Sequence, residues 1–195
     1  MSDTADPGEV RLPPGQYLTN KFPVLSYGPT PTFDRATWDL RLFGLVDAER
    51  RLTYDELRAM PSVVSTSDFH CVTTWSRLDN RWEGVRARDV VSLVRLQPEA
   101  RFVLVHCEQG YTTNLTLDDL LEPEVLLAWG HDGADLSPDH GYPLRLVVPK
   151  LYAWKSAKWV RGLEFLADDQ RGFWEIRGYH SHADPWKEER YSYQE

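Results

Sequence analysis

Cysteine is scarce in this chain: Cys71 and Cys107 are the only two among 195 residues. A disulfide framework is therefore excluded, and reduced thiols are expected. Long hydrophobic runs are missing too. No stretch of about 18 apolar residues occurs, so no membrane-spanning helix is expected. Positive charge is in deficit, with 22 Lys and Arg against 30 Asp and Glu and a formal net charge of −8. That balance excludes the basic footprint by which proteins hold nucleic acid. It leaves room for a local basic pocket. The N-terminal stretch has neither a basic start nor an apolar core, so no export signal is read and a cytoplasmic protein is expected.

What is present is the composition of a globular domain, 42% hydrophobic and 27% charged. A chain of this length buries roughly 70% of its unfolded surface without needing staples. Residues 1–16 read as a flexible N-terminal segment, and residues 17–195 as one domain with no dividing linker. Residues 17–27, broken by Pro23, are expected to form an extended arm on the body. Trp38, Leu40 and Leu42 alternate with Asp39, Arg41 and Phe43, the period of a half-buried strand. Thr53 and Glu56 have capping-box spacing, which predicts a short helix that Pro61 stops. Further strands are expected over 63–69, 102–106, 125–129, 144–148 and 160–166, with short helices over 86–96 and 117–121. Thirteen prolines, twelve glycines and only short helical patterns point to an α+β fold of mixed β-sheets with short peripheral helices. Residues 172–195, aromatic but charged, are expected to form an irregular tail.

The strand over 63–69 delivers His70 and Cys71 at its end, on opposite faces. A thiolate is a strong soft ligand for thiophilic metals. Structural zinc would need about four ligands, usually paired as Cys-x-x-Cys or His-x-x-x-His, and neither spacing occurs. One cysteine still suffices if a cofactor brings the other donors. A packed core thiol is the commoner reading of such a residue. A nucleophile served by one of the six histidines is another. These residues alone leave all three open. Cys107, closing the apolar run Phe102-Val103-Leu104-Val105, is either a core thiol or a pocket residue.

The run His70-Cys71-Val72-Thr73-Thr74-Trp75-Ser76 resembles the cysteine segment of sulfite-oxidase-like molybdenum enzymes. Three more segments agree, in the right order. Asn20-Lys21-Phe22-Pro23-Val24 is similar to the segment that folds over the pterin. His140-Gly141-Tyr142-Pro143-Leu144-Arg145 resembles the stretch before the cofactor-binding turn, and Tyr152-Ala153-Trp154-Lys155-Ser156-Ala157-Lys158-Trp159 resembles the turn itself. The resemblance implies a single sulfite-oxidase-type molybdopterin-binding domain. In it, molybdenum is held by one molybdopterin and by Cys71. Asn20, Pro23, Val24, Cys107, His140, Arg145, Ser156, Ala157 and Lys158 would line the pterin and its phosphate. Such roles suit their chemistry: Arg145 and Lys158 can pair with a phosphate. Backbone N–H groups of Ser156 and Ala157 can complete an anion nest.

The implied activity is two-electron redox or oxygen-atom transfer on a small-molecule substrate such as an S-oxide or a sulfite-like compound. A non-catalytic protein that keeps the pterin pocket is the alternative, and a Cys-nucleophile hydrolase or transferase a third. Two positions depart from eukaryotic sulfite oxidases. Ser76, followed by Arg77, stands where those enzymes carry an arginine, and Trp129 falls in the segment of their active-site tyrosine. Arg77, Trp129 and Trp174 are expected at the substrate mouth, with Cys71 and the first two as catalytic residues. No haem segment or second domain is read, so electrons are expected to pass to or from a separate haem or flavin protein.

Overall fold

Alternating apolar residues build the strands where the pattern is clean. In the computed structural model, which describes residues 11–195, β2 spans Asp39–Gly44 with Leu40 and Leu42 buried. It follows β1, Tyr17–Leu18, and pairs antiparallel with β3, Arg50–Thr53. Helix α1, Tyr54–Arg58, opens with the expected capping box. The Thr53 hydroxyl accepts the Glu56 N–H, and the Glu56 carboxylate accepts the Thr53 N–H. Each satisfies a backbone donor that the first turn leaves without a partner.

Next come β4, Val63–His70, and β5, Trp75–Arg86. β5 is the longest strand and is absent from the sequence expectations. Helix α2 covers only Ala87–Val91, shorter than the expected 86–96. The remaining elements are β6, Phe102–Cys107; β7, Thr112–Thr116; α3, Leu117–Leu121; β8, Leu126–His131; β9, Ala134–Asp135; β10, Arg145–Val147; and β11, Val160–Leu166.

Two sheets result. One is ordered β3-β2-β11-β6-β7, with β11 parallel to β2 and antiparallel to β6. The other follows β1-β5-β8-β10, with β4 paired to β5 and β9 to β8. The main core joins Leu40, Leu42, Val105, Leu163 and Phe165 of the first sheet to Val85, Leu127 and Leu146 of the second. Burial of each such side chain stabilises by about 1.5–3 kcal/mol. The expected α+β architecture of mixed sheets and short helices is borne out.

Residues 1–10 of the expected lead-in lie outside the described residues. Residues 11–16 run along the β4–β5 hairpin: Arg11 pairs with Asp68 (2.6 Å) and Asp79 (2.7 Å), and the Gln16 side-chain amide donates to the Cys71 carbonyl (3.1 Å). At the other end, residues 172–195 form short 3-10 turns at Glu175–Arg177, Pro185–Lys187 and Ser192–Gln194. No described helix is long and apolar enough to cross a membrane.

Candidate cofactor site

Cys71 sits in the tight turn between β4 and β5. Its N–H donates to the Trp75 carbonyl (2.8 Å), and its carbonyl accepts the Thr74 N–H (3.0 Å). Thr74 adopts φ +77°, a left-handed conformation that a β-branched residue rarely takes. His70 and Cys71 diverge as strand geometry requires. The His70 Nδ1 meets the Ser76 hydroxyl at 2.8 Å, while the Cys71 sulfur lies 3.1 Å from the Thr73 hydroxyl and faces a cavity of about 340 Å³. Burial raises the Cys71 thiol above its ordinary value, against the pull of Thr73 and Arg190.

The cavity gathers all four segments singled out in the sequence, together with part of the tail. Phe22, Pro23 and Leu25 come from the arm, and Cys71 to Thr73 and Trp75 from the hairpin. His140 and Arg145 precede the turn that supplies Ser156, Ala157 and Lys158, and Trp174 and Tyr179 come from the tail. No aspartate or glutamate stands on the wall, although the whole chain is acidic.

Arg145 is only 4% exposed. Two of its guanidinium nitrogens donate to the His140 carbonyl (2.9 Å) and the Ser156 carbonyl (3.0 Å), and its Nε has no partner among the described residues. The guanidinium lies 5.2 Å from the Phe69 ring centre and 5.3 Å from that of Trp82. Burial without a counter-charge lowers its pKa to about 9. Lys158 is lowered to about 8 by burial and by the Arg145 charge. Its ammonium donates to the Ser26 hydroxyl and to the Asp139 carbonyl (2.7 Å). His140 stacks on Phe22 (4.3 Å) and is held through both nitrogens: Nδ1 accepts from Ser137 (2.9 Å) and Nε2 donates to the Phe22 carbonyl (3.0 Å). Burial, with Arg145 and Lys158 nearby, lowers its pKa.

Ser156 contributes shape more than hydrogen bonds. Its hydroxyl accepts the Val148 N–H (2.9 Å), and its own N–H goes to the Ala153 carbonyl (3.1 Å). The anion nest expected from Ser156 and Ala157 therefore narrows to Ala157, whose N–H has no partner among the described residues.

Five expected site residues lie off the wall. Asn20 is exposed on the arm, and Val24 is 49% exposed beside it. Cys107 is packed in the main core, where burial raises its thiol strongly. Trp129 is also a core residue, with Arg58 4.5 Å from its ring centre and its indole N–H directed to Glu83 (3.4 Å). Arg77 spends its guanidinium on Asn80 and on Asp132 (2.5 Å), with the His131 Nε2 at 3.1 Å. In their place the wall carries Phe22, Tyr111, Trp154, Trp159 and Tyr179. Trp154 and Trp159 lie inside the turn motif, so the motif could have pointed to them. Nothing in the sequence marks Tyr111 or Tyr179.

A buried guanidinium with an open N–H, a second desolvated cation and an acid-free wall suit an anionic prosthetic group. One thiol faces the same space. No cluster of three or more His, Cys, Asp or Glu able to hold a metal exists among the described residues. A metal at Cys71 therefore needs donors from that group.

The protein is thus of the cofactor-dependent redox class. A family model described as the oxidoreductase molybdopterin-binding domain matches residues 27–174, and the chain belongs to that family. It is 48% identical over 184 residues to the uncharacterized oxidoreductase YuiH of Bacillus subtilis (strain 168), covering 94% of this chain and 93% of that one. It is 29% identical over 178 residues to a putative protein-methionine-sulfoxide reductase subunit, YedZ1, of Azospira oryzae, covering 89% and 68%. Among solved structures, the sulfane dehydrogenase SoxCD of Paracoccus pantotrophus superposes with a TM-score of 0.67 at 19% identity. That match covers 76% of this chain and 42% of that one, and shows the shared fold. The expected family and its molybdopterin cofactor are borne out.

Proposed function

We propose that Cys71 ligates molybdenum and that the enzyme transfers an oxygen atom, with two electrons, to or from a small uncharged S-oxide or its thioether. The observation that carries this reading is the division of the cavity. Its cations, Arg145 and Lys158, stand with the neutral His140 in the stretch before the turn and in the turn itself, while Cys71 is flanked by Val72, Thr73, Trp75, Trp174 and Tyr179. The one cation that bears on the thiol, Arg190, is committed elsewhere, donating to the Val72 carbonyl (2.6 Å). A sulfite or nitrate anion at the Cys71 end would meet no free positive charge, and desolvating it there would be costly.

The cofactor supplies the two-electron redox chemistry, and the protein supplies binding, orientation and electrostatics. Arg145 and Lys158 hold the phosphate, one through directed N–H groups and one as a point charge. The Ala157 N–H adds a neutral donor. His140, fixed through both nitrogens, and Pro23 bound the pterin, and Phe22 covers Arg145. Asn20, Val24, Cys107, Arg77 and Trp129 take no part. The aromatic wall excludes water from the Cys71 end and receives an apolar substrate. Electrons pass to or from a separate haem or flavin protein, in keeping with a relative described as a subunit.

Protein made in a cofactor-competent host should contain about one molybdenum per chain, as one ligating thiol implies. With a reductant it should turn over methyl phenyl sulfoxide, and with an oxidant it should leave sulfite untouched. Turnover of sulfite but not of the sulfoxide contradicts the reading.

A further inference from the structure

One phenol on the Cys71 side of the cavity is uncommitted. Tyr179 lies on the tail, its ring 5.3 Å from Trp154 and 5.3 Å from Trp174, both wall residues. Its backbone is fixed on both sides. Gly178 turns the chain with φ +98°, its carbonyl accepts the Ser192 N–H (2.9 Å), and Tyr179 bridges to Tyr191. Several nearby donors are spent, although among the described residues the Trp75 and Trp174 indoles are not. The Tyr111 hydroxyl donates to the Trp154 carbonyl (2.8 Å), the Trp154 indole to Glu175 (2.9 Å) and the Trp159 indole to the Pro138 carbonyl (2.8 Å). The Thr73 hydroxyl sits against the Cys71 sulfur. Tyr27 is more than half exposed and lies over Phe173. The Tyr179 hydroxyl, by contrast, has no hydrogen-bond partner among the described residues. It lines the same cavity as Cys71, and burial raises its phenol.

We propose that Tyr179 is a catalytic residue whose O–H donates a hydrogen bond to the substrate oxygen at the Cys71 end of the cavity. The proposal rests on the oxygen-transfer reading above. An S–O or N–O oxygen entering an aromatic pocket loses its water, and leaving it without a donor is costly. The tail therefore does more than cover the site. It brings the donor that recognises the oxo group, while the neighbouring rings take the substrate's apolar part.

The test uses the full-length, molybdenum-loaded enzyme and methyl phenyl sulfoxide. Tyr179→Phe should keep its metal content and thermal midpoint and lose about 10–100-fold in kcat/KM, the worth of a lost bond to a strongly polarised group. A second readout does not depend on turnover. In protein labelled with 3-fluorotyrosine, the resonance absent from Tyr179→Phe should shift as the sulfoxide is added. An unchanged kcat/KM in the variant, or a resonance indifferent to the sulfoxide, overturns the assignment. A wild-type enzyme that carries molybdenum yet reduces no sulfoxide would instead contradict the function proposed above. The fluorine titration would then still decide whether Tyr179 meets the sulfoxide oxygen.

Discussion

Lys155 and Glu175 form an ion pair 2.7 Å long with both side chains wholly buried. Lys155 ties the cofactor turn to the tail, donating also to the Asn114 backbone and side-chain oxygens (both 2.8 Å) and to the Ser181 carbonyl (2.6 Å). Glu175 accepts from Thr113 (2.9 Å) and Trp154 (2.9 Å) through the same oxygen that faces Lys155. Removing one partner leaves a desolvated charge. Glu175→Leu should therefore lose about 3–5 kcal/mol of stability in urea unfolding. The double variant Lys155→Met/Glu175→Leu should recover most of that loss, because two apolar groups replace two charges. A single variant as stable as wild type would show that the pair does not hold the tail.

Arg145 stands in the opposite position, a buried cation with no acid beside it. Without cofactor it burdens the fold, so Arg145→Met should leave apo-protein stability unchanged or raise it by about 1 kcal/mol. The same change should lower cofactor affinity by about 10–100-fold, the loss of hydrogen bonds from a charged donor. Thermal unfolding of apo-protein and molybdenum analysis of the purified variant measure the two effects. A variant that melts lower yet loads normally would place the phosphate elsewhere.

His131 gives the acid limb of stability a definite window. Burial lowers its pKa to about 4, with Arg77 and Arg145 adding to the shift against Asp132. The unfolded chain takes up the proton near its ordinary value of about 6.5, and the folded protein does so only near 4. Above the higher value the ring is neutral in both states and its contribution is complete. As pH falls between the two values, stability drops by at most about 1.4 kcal/mol per pH unit. Urea midpoints measured across that range should show the slope, and His131→Gln should make it shallower. Asp132 and Asp119, both held below the ordinary carboxylate value, act at lower pH, whereas His70 and His140, also lowered by burial, share this window with His131.

Thr74 is strained. Its left-handed backbone costs an L-residue about 1–2 kcal/mol, which glycine does not incur. Thr74→Gly should raise the unfolding free energy by about 1 kcal/mol, less what glycine loses to extra freedom in the unfolded chain. A decrease would mean that the Thr74 hydroxyl, bonded to the Thr73 carbonyl at 2.6 Å, outweighs the strain.

The sequence was most legible where one local rule decided the structure. Thr53 and Glu56 specified α1, and the alternation at Leu40 and Leu42 specified β2. The ordered segments around Cys71, Arg145 and Lys158 met at one cavity. β5 was hidden because Arg77, Asp79, Asn80 and Arg81 interrupt its apolar pattern. Their charges are settled by partners far away in the chain, Asp132 and Arg11 among them. Arg77 and Trp129 show the limit of motif spacing. Position along a strand brought them near the expected segment, yet Asp132 and the main core decided where their side chains went. Tyr179 was illegible because its place depends on the tail being anchored by a buried pair, Lys155 and Glu175, that no local pattern announces.

The central claim is that the Cys71 sulfur binds molybdenum, and X-ray absorption at the molybdenum edge tests it most directly. Wild-type enzyme and Cys71→Ala, both loaded with cofactor, should differ by one sulfur neighbour of the metal, with the pterin sulfurs retained in each. An identical sulfur count in the two proteins would contradict the claim.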